Sequence, residues 1–263
     1  MRVRIRFAKE GKVRFTSHRD VARMWERGLR RAGLAVAQTG GFRPRPKLSF
    51  GLALSTGHES TAEYLDVELA EALDDPEVLE LPARLSPELP AGVDVLAVAP
   101  LEPGSASLQE AVRSCTWRIE ALDLSVDVAQ GLVDRALAAE ALVVTRQRKG
   151  REVVDDLRPA VLSVSVIGAT STGTELEAEL AVHPRSVRPA ELLAALNPAL
   201  AEGRVRRVAQ WTWRDGVRGE PLAATAGFYP SSPSPAEAST TRRDHPDDRA
   251  RSRDAGVELV LDR

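Results

Sequence analysis

The order of hydrophobic patterns in residues 2–101 recurs in residues 115–213, and this recurrence constrains the fold more than any single motif. In the first stretch Val3, Ile5 and Phe7 alternate with Arg2, Arg4 and Arg6, the period-two signature of a half-buried strand with one apolar and one cationic face. Lys9-Glu10-Gly11-Lys12 forms a turn into a return strand carrying Val13 and Phe15. Ser17, with Asp20 three residues on, predicts a capped helix over 18–32 that stops at Gly33. Alternation resumes over 48–54 and 63–69. A short acidic helix is expected over 75–85, broken at Pro82, and a strand over 92–101 closes the series.

The second stretch offers a strand over 115–122 and an apolar-rich helix over 126–139. A hairpin of 142–147 and 151–157 turns at Lys149-Gly150. Strands over 161–167 and 174–182, a helix over 189–196 and a strand over 204–213 follow. With the extra strands set aside, each stretch is βαββαβ, the ferredoxin-like order. The expected fold is therefore α+β. It has two ferredoxin-like halves with mainly antiparallel sheets, 1–102 and 114–214, joined by a linker helix over 103–113. No residue-level repeat accompanies the repeated order. Residues 215–263 turn rich in Ser, Pro, Arg and Asp; they cannot bury enough apolar surface to order themselves, and a disordered tail is expected.

Apolar residues at 43% and charged residues at 28% give a soluble globular balance. No run approaches the ~20 apolar residues of a membrane span, and the N-terminus has no apolar core of a secretory signal. A cytoplasmic protein is expected. Cys115 is the sole cysteine. One thiol cannot build a zinc or iron–sulfur site by itself. His18, His58, His183 and His245 are scattered, without HxxxH or HExxH spacing. No metal or cofactor is expected, and neither a P-loop nor a GxSxG nucleophile elbow occurs.

The net charge of −2 conceals a strong asymmetry. Residues 1–50 hold fourteen Lys/Arg against three Asp/Glu, 14 − 3 = +11; residues 51–113 hold two against thirteen, 2 − 13 = −11. Two readings follow. The basic segment is an anion-binding face, or the two segments neutralise each other as packed neighbours. On the 18–32 helix Arg19, Arg23, Arg27, Arg30 and Arg31 fall on one stripe opposite Val21, Trp25 and Leu29. Too few acids are interspersed for the mixed i,i+4 pairing of a plain solvated face. The loop 40–47, GGFRPRPK, follows: prolines hold Arg43 and Arg45 extended, with Phe42 and Lys47 beside them. That composition suits phosphate contacts with a stacked base, although Phe42 would equally serve as a core anchor. A second basic cluster, Arg146, Arg148, Lys149 and Arg151, marks the hairpin tip, where charge also serves solubility.

The motif RFTSHRDVARMWERGLRRAGL, followed by GFRPRPKLSFGLAL and EYLDVEL, resembles the radical-SAM-linked proteins, which occur alone or fused to the C-terminus of a radical SAM protein. The matching positions include Ser17, His18, Asp20, Glu26, Arg30, Arg31, Gly41, Phe42, Pro44, Pro46, Lys47, Glu63, Tyr64 and Asp66. Asp156, Leu157, Arg158 and Pro159 match the segment that follows the family's basic hairpin. The resemblance spans about 2–213. It implies association with radical SAM chemistry and carries over no catalytic residue.

His18, Asp20 and Asp66 are weak candidates for acid–base chemistry, should the strand bearing Asp66 lie beside the helix start. The expected function is a non-catalytic anion- or RNA-binding accessory protein of a radical SAM or RNA-modification system. A subunit docking on a radical SAM enzyme, and an enzyme acting on a phosphorylated substrate, are the alternatives.

Overall fold

A computed structural model describes residues 1–148, 150–214 and 216–222. The first part of the chain gives β1 (Arg2–Lys9), a 3₁₀ turn (Gly11–Phe15), α1 (His18–Arg31), β2 (Leu48–Phe50), β3 (Glu59–Glu68), α2 (Asp75–Leu85) and β4 (Val93–Pro100). After α3 (Leu108–Ala111) come β5 (Val112–Leu122), α4 (Val126–Ala138), β6 (Val143–Arg148), β7 (Arg151–Asp156), β8 (Val161–Ala169), β9 (Gly173–Ala181), α5 (Pro189–Leu196), β10 (Glu202–Arg214) and β11 (Val217–Gly219). The fold is α+β and its sheet is mostly antiparallel.

One nine-stranded sheet runs β4-β1-β3-β10-β5-β9-β8, with β2 on β3 and β11 on β10. The described residues all fall within one compact unit. Every pairing within the first four strands and within the last four is antiparallel; the seam, β3 against β10, is parallel at Arg206↔Glu59 and Arg207↔Ser60. β6 and β7 form a separate two-stranded ribbon.

Two apolar cores lie on either side of that seam. One gathers Val3, Ile5 and Phe7 of β1, Trp25 and Leu29 of α1, and Leu81 and Leu85 of α2. The other gathers Trp117 and Ile119, Leu132 and Val133, Leu176 and Leu180, and Leu192. A buried ion pair crosses the seam. Arg207, 1% exposed, donates to Glu63 at 2.6 and 3.1 Å and to the Leu52 carbonyl at 2.9 Å. A β-bulge in β3, where Phe7 and Lys9 face Glu63 and Ser60, sets Glu63 at this junction.

Several elements depart from the sequence expectation. Val13 and Phe15 lie in a 3₁₀ turn, not a return strand. β1 already has β3 and β4 on its two edges, so no hydrogen-bonding edge remains for a hairpin partner. α2 continues through Pro82, because Val78, Leu81, Pro82 and Leu85 are all buried and hold the last turn. The linker helix shrinks to four residues before β5 begins. β2 ends at Phe50, since the N-terminal end of β3 pairs with β10 instead.

The cationic face of β1 is not solvated: Arg4 and Arg6 are 5% and 6% exposed. Part of the expected disordered tail covers it. β11 pairs with β10, Glu220 meets Arg6 at 2.7 Å, and the Leu222 carbonyl accepts from the Tyr64 hydroxyl at 3.2 Å. The remainder of that expectation, residue 215 and residues 223–263, lies outside the described residues. No helix among the described residues is long and apolar enough to cross a membrane.

Candidate nucleic-acid interface

α1 starts where Ser17 Oγ accepts from the Asp20 amide at 3.2 Å and donates to its carboxylate at 2.7 Å. The Ser17 hydroxyl, with Arg23 and Arg19 nearby, holds the Asp20 carboxyl below its ordinary range. At the other end Gly33 takes φ +70°. Leu34 N–H bonds to the Leu29 carbonyl and Gly33 N–H to that of Arg30, a Schellman stop. With both ends fixed, the helix buries Val21, Trp25, Gly28 and Leu29. Trp25 is fully buried against the Phe7 ring, 4.9 Å between centroids.

The opposite face carries Arg19, Arg23, Arg27, Arg30 and Arg31, all exposed. Arg31 is tied to Glu88 at 3.0 Å and Arg23 weakly to Asp20 at 3.5 Å. Arg19, Arg27 and Arg30 form no ion pair among the described residues.

After α1 the chain extends as a narrow ribbon. Bridges Val36↔Leu69 and Gln38↔Pro46 anchor it, and Thr39 N–H bonds to the Arg45 carbonyl at 2.8 Å. Thr39 Oγ1 accepts the Arg45 amide at 3.0 Å, which closes the tip. Gly41 takes φ +111°, a conformation side chains disfavour. Phe42 beside it is fully exposed, so it is no core anchor. Arg43 and Arg45 are exposed and form no ion pair among the described residues. Lys47, at the base of the ribbon, bonds to Glu68 at 2.7 Å and holds that carboxyl below its ordinary range.

The charge asymmetry thus divides between its two readings. Arg2 and Arg4 with Asp66, Arg14 with Glu59, Arg31 with Glu88 and Lys47 with Glu68 are pairs between the basic and acidic segments. Arg19, Arg27, Arg30, Arg43 and Arg45 are left to solvent.

The three weak acid–base candidates have separate partners. Asp20 caps α1, His18 stands edge-on to the Phe50 ring at 5.2 Å, and Asp66 is gripped by Arg4 at 2.7 and 2.9 Å. Among the described residues no group of His, Cys, Asp and Glu is placed to hold a metal.

Arg146, Arg148 and Arg151 of the second basic cluster lie on the β6–β7 ribbon, with Gly150 at φ +74°. Arg146 is engaged by Asp155, which also meets Arg185 at 3.1 Å. Arg151 is exposed, Arg148 ends β6, and Lys149 lies outside the described residues.

A family model described as an uncharacterized protein conserved in bacteria, DUF2344, matches residues 2–189. The chain belongs to this family. The DUF2344 match takes in α1, the 36–47 ribbon and the β6–β7 ribbon, and ends before β10 and β11. No curated protein matches the chain significantly.

Proposed function

We propose that this DUF2344 protein is a non-catalytic RNA-binding accessory factor of a radical SAM or RNA-modification system, and that α1 and the 36–47 ribbon form its RNA surface. The observation that carries the reading is Phe42. A fully exposed phenyl ring contributes nothing to the core and is open to a ligand, and it stands beside two exposed arginines on a hydrogen-bonded tip. Aromatic rings flanked by guanidinium groups bind single-stranded RNA by stacking bases and contacting phosphates.

The scaffold supports the same reading. The strand orders β4-β1-β3-β2 and β10-β5-β9-β8, each with two helical connections, favour a pair of ferredoxin-like units. A second reading, docking on a radical SAM enzyme, draws on the exposed Val143, Val154, Leu162 and Ile167 around the β6–β7 ribbon and β8.

Filter binding of a single-stranded RNA at two salt concentrations tests the proposal. With five phosphate contacts, affinity should fall about a hundredfold between ~50 and ~200 mM salt. Absence of binding at the lower salt would overturn it. A partner captured with no such salt dependence would favour docking.

A further inference from the structure

A cleft of about 920 Å³ lies where the 101–107 loop and α3 meet the end of β10 and β11. Its size is that of a small-molecule site. Arg4 contributes to its wall although the residue is only 5% exposed. Asp66 grips Arg4 through two parallel bonds, Nε to Oδ1 at 2.7 Å and Nη2 to Oδ2 at 2.9 Å. This fork fixes the guanidinium plane and uses two of its five donors. Nη1 makes no hydrogen bond among the described residues, so a rigid, partly satisfied cation borders the cleft.

Arg113 and Arg214 add two exposed guanidinium groups, and Trp213, 46% exposed, lines the same space. The acids of the cleft narrow the choice of ligand. Glu220 is bound to Arg6 at 2.7 Å, and Glu110 accepts from Ser107 Oγ at 2.9 Å. Glu102 forms no ion pair among the described residues. These carboxylates would repel a bare polyanion. They suit a ligand that carries hydroxyl or amino donors as well as a phosphate.

We propose that this cleft is a nucleotide site. Arg4, Arg113 and Arg214 take the phosphate, the Trp213 indole stacks the base, and Glu102 accepts from a ribose hydroxyl or a base amino group. The occupant is a nucleoside monophosphate unit, either free or as one residue of an RNA strand. The site stands independently of RNA binding at α1.

Calorimetric titration of the full chain with the four ribonucleoside 5′-monophosphates tests it, with tryptophan fluorescence as a second signal. At least one should bind saturably and quench. Inorganic phosphate alone and the nucleoside alone should bind about tenfold or more weakly, each lacking one contact. Trp213→Ala, and Arg113→Ala with Arg214→Ala, should each weaken binding by a similar factor at unchanged Tm; these exposed positions avoid breaking the buried Arg4–Asp66 pair, as Arg4→Ala would. Arg43→Ala with Arg45→Ala should leave mononucleotide binding intact, whatever it does to RNA.

The source of the ligand follows from comparing the best mononucleotide with its trinucleotide: a gain of about tenfold assigns the site to RNA, equality assigns it to the free nucleotide, and both support the site. Three results would overturn it. They are no saturable binding by any of the four at millimolar concentration, phosphate binding as tightly as the nucleotide, and binding indifferent to the cleft variants.

Discussion

Replacing Arg207 by methionine probes the seam between the two cores. The guanidinium is buried, bonds to Glu63 at 2.6 and 3.1 Å and to the Leu52 carbonyl at 2.9 Å, and stands 5.4 Å from the Trp117 ring centre. Burial works against its charge, and the Glu63 carboxylate together with Cys115 more than compensates. Arg207→Met would leave Glu63 buried without that partner. Breaking a buried pair from one side costs about 3–5 kcal/mol. Lys9, the other cation near Glu63, has its own pKa lowered by burial despite that carboxylate, so its compensation is partial. In a domain of this size the loss corresponds to about 6–20 °C in Tm. Replacing both partners, Arg207→Met with Glu63→Leu, should recover most of it, because an apolar pair of similar volume carries no uncompensated charge. Urea melts followed by circular dichroism and by fluorescence would give the values and check two-state behaviour. A single variant within about 1 kcal/mol of the parent, or a double variant less stable than the single, would refute the reasoning.

Other predictions concern the core and its ionisable groups. Trp25→Ala should cost about 3–5 kcal/mol, since the indole is fully buried against Phe7; a loss below about 1 kcal/mol in a urea melt would mean that the helix does not pack as described. Burial raises the Glu59 pKa, but hydrogen bonds from Arg204 and the Gly11 amide, with Arg206 nearby, bring it below its ordinary value. Such a carboxylate stabilises the fold above its unfolded pKa of about 4.3 and loses that contribution as pH falls through the lower folded value. Glu59→Gln should therefore be less stable than the parent at neutral pH and converge with it in acid; parallel stability curves would contradict this. Burial pushes the Cys115 thiol up to about 11, so a disulfide reagent at neutral pH should label it only after unfolding. Prompt labelling of the native protein would show the thiol to be accessible.

How far the sequence reveals this fold depends on which forces are local. Ser17, Asp20 and Gly33 fixed the ends of α1, and the spacing of Val21, Trp25 and Leu29 fixed its buried face, because caps and helical periodicity act within a few residues. Strand order is set at longer range. Alternation identified β1, but nothing local in Arg4 and Arg6 showed that their face would be covered. Their partners, Asp66 and Glu220, lie 62 and 214 residues away in the chain. The same distance hid the seam: Arg207 is one of many arginines in the sequence, and its burial follows from the parallel contact of β10 with β3. The arginines of α1 and the 40–47 loop were legible as a cationic set. Which of them pair internally was not, since Glu68 and Glu88 meet Lys47 and Arg31 only in the folded chain. The cleft beside Trp213 gave no local signal, for its walls come from β1, the 101–107 loop and the two sides of the β10–β11 turn.

The salt dependence of RNA binding by the parent and by Arg43→Ala with Arg45→Ala tests the proposed function most directly. Each phosphate contact on a single strand contributes about 0.7 to the slope of log K against log salt. The double variant should therefore bind more weakly across unrelated sequences, with a slope shallower by about 1.4 and unchanged stability, because both residues are exposed. Equal affinity and equal slope in the two proteins would contradict the assignment of α1 and its ribbon as the RNA surface.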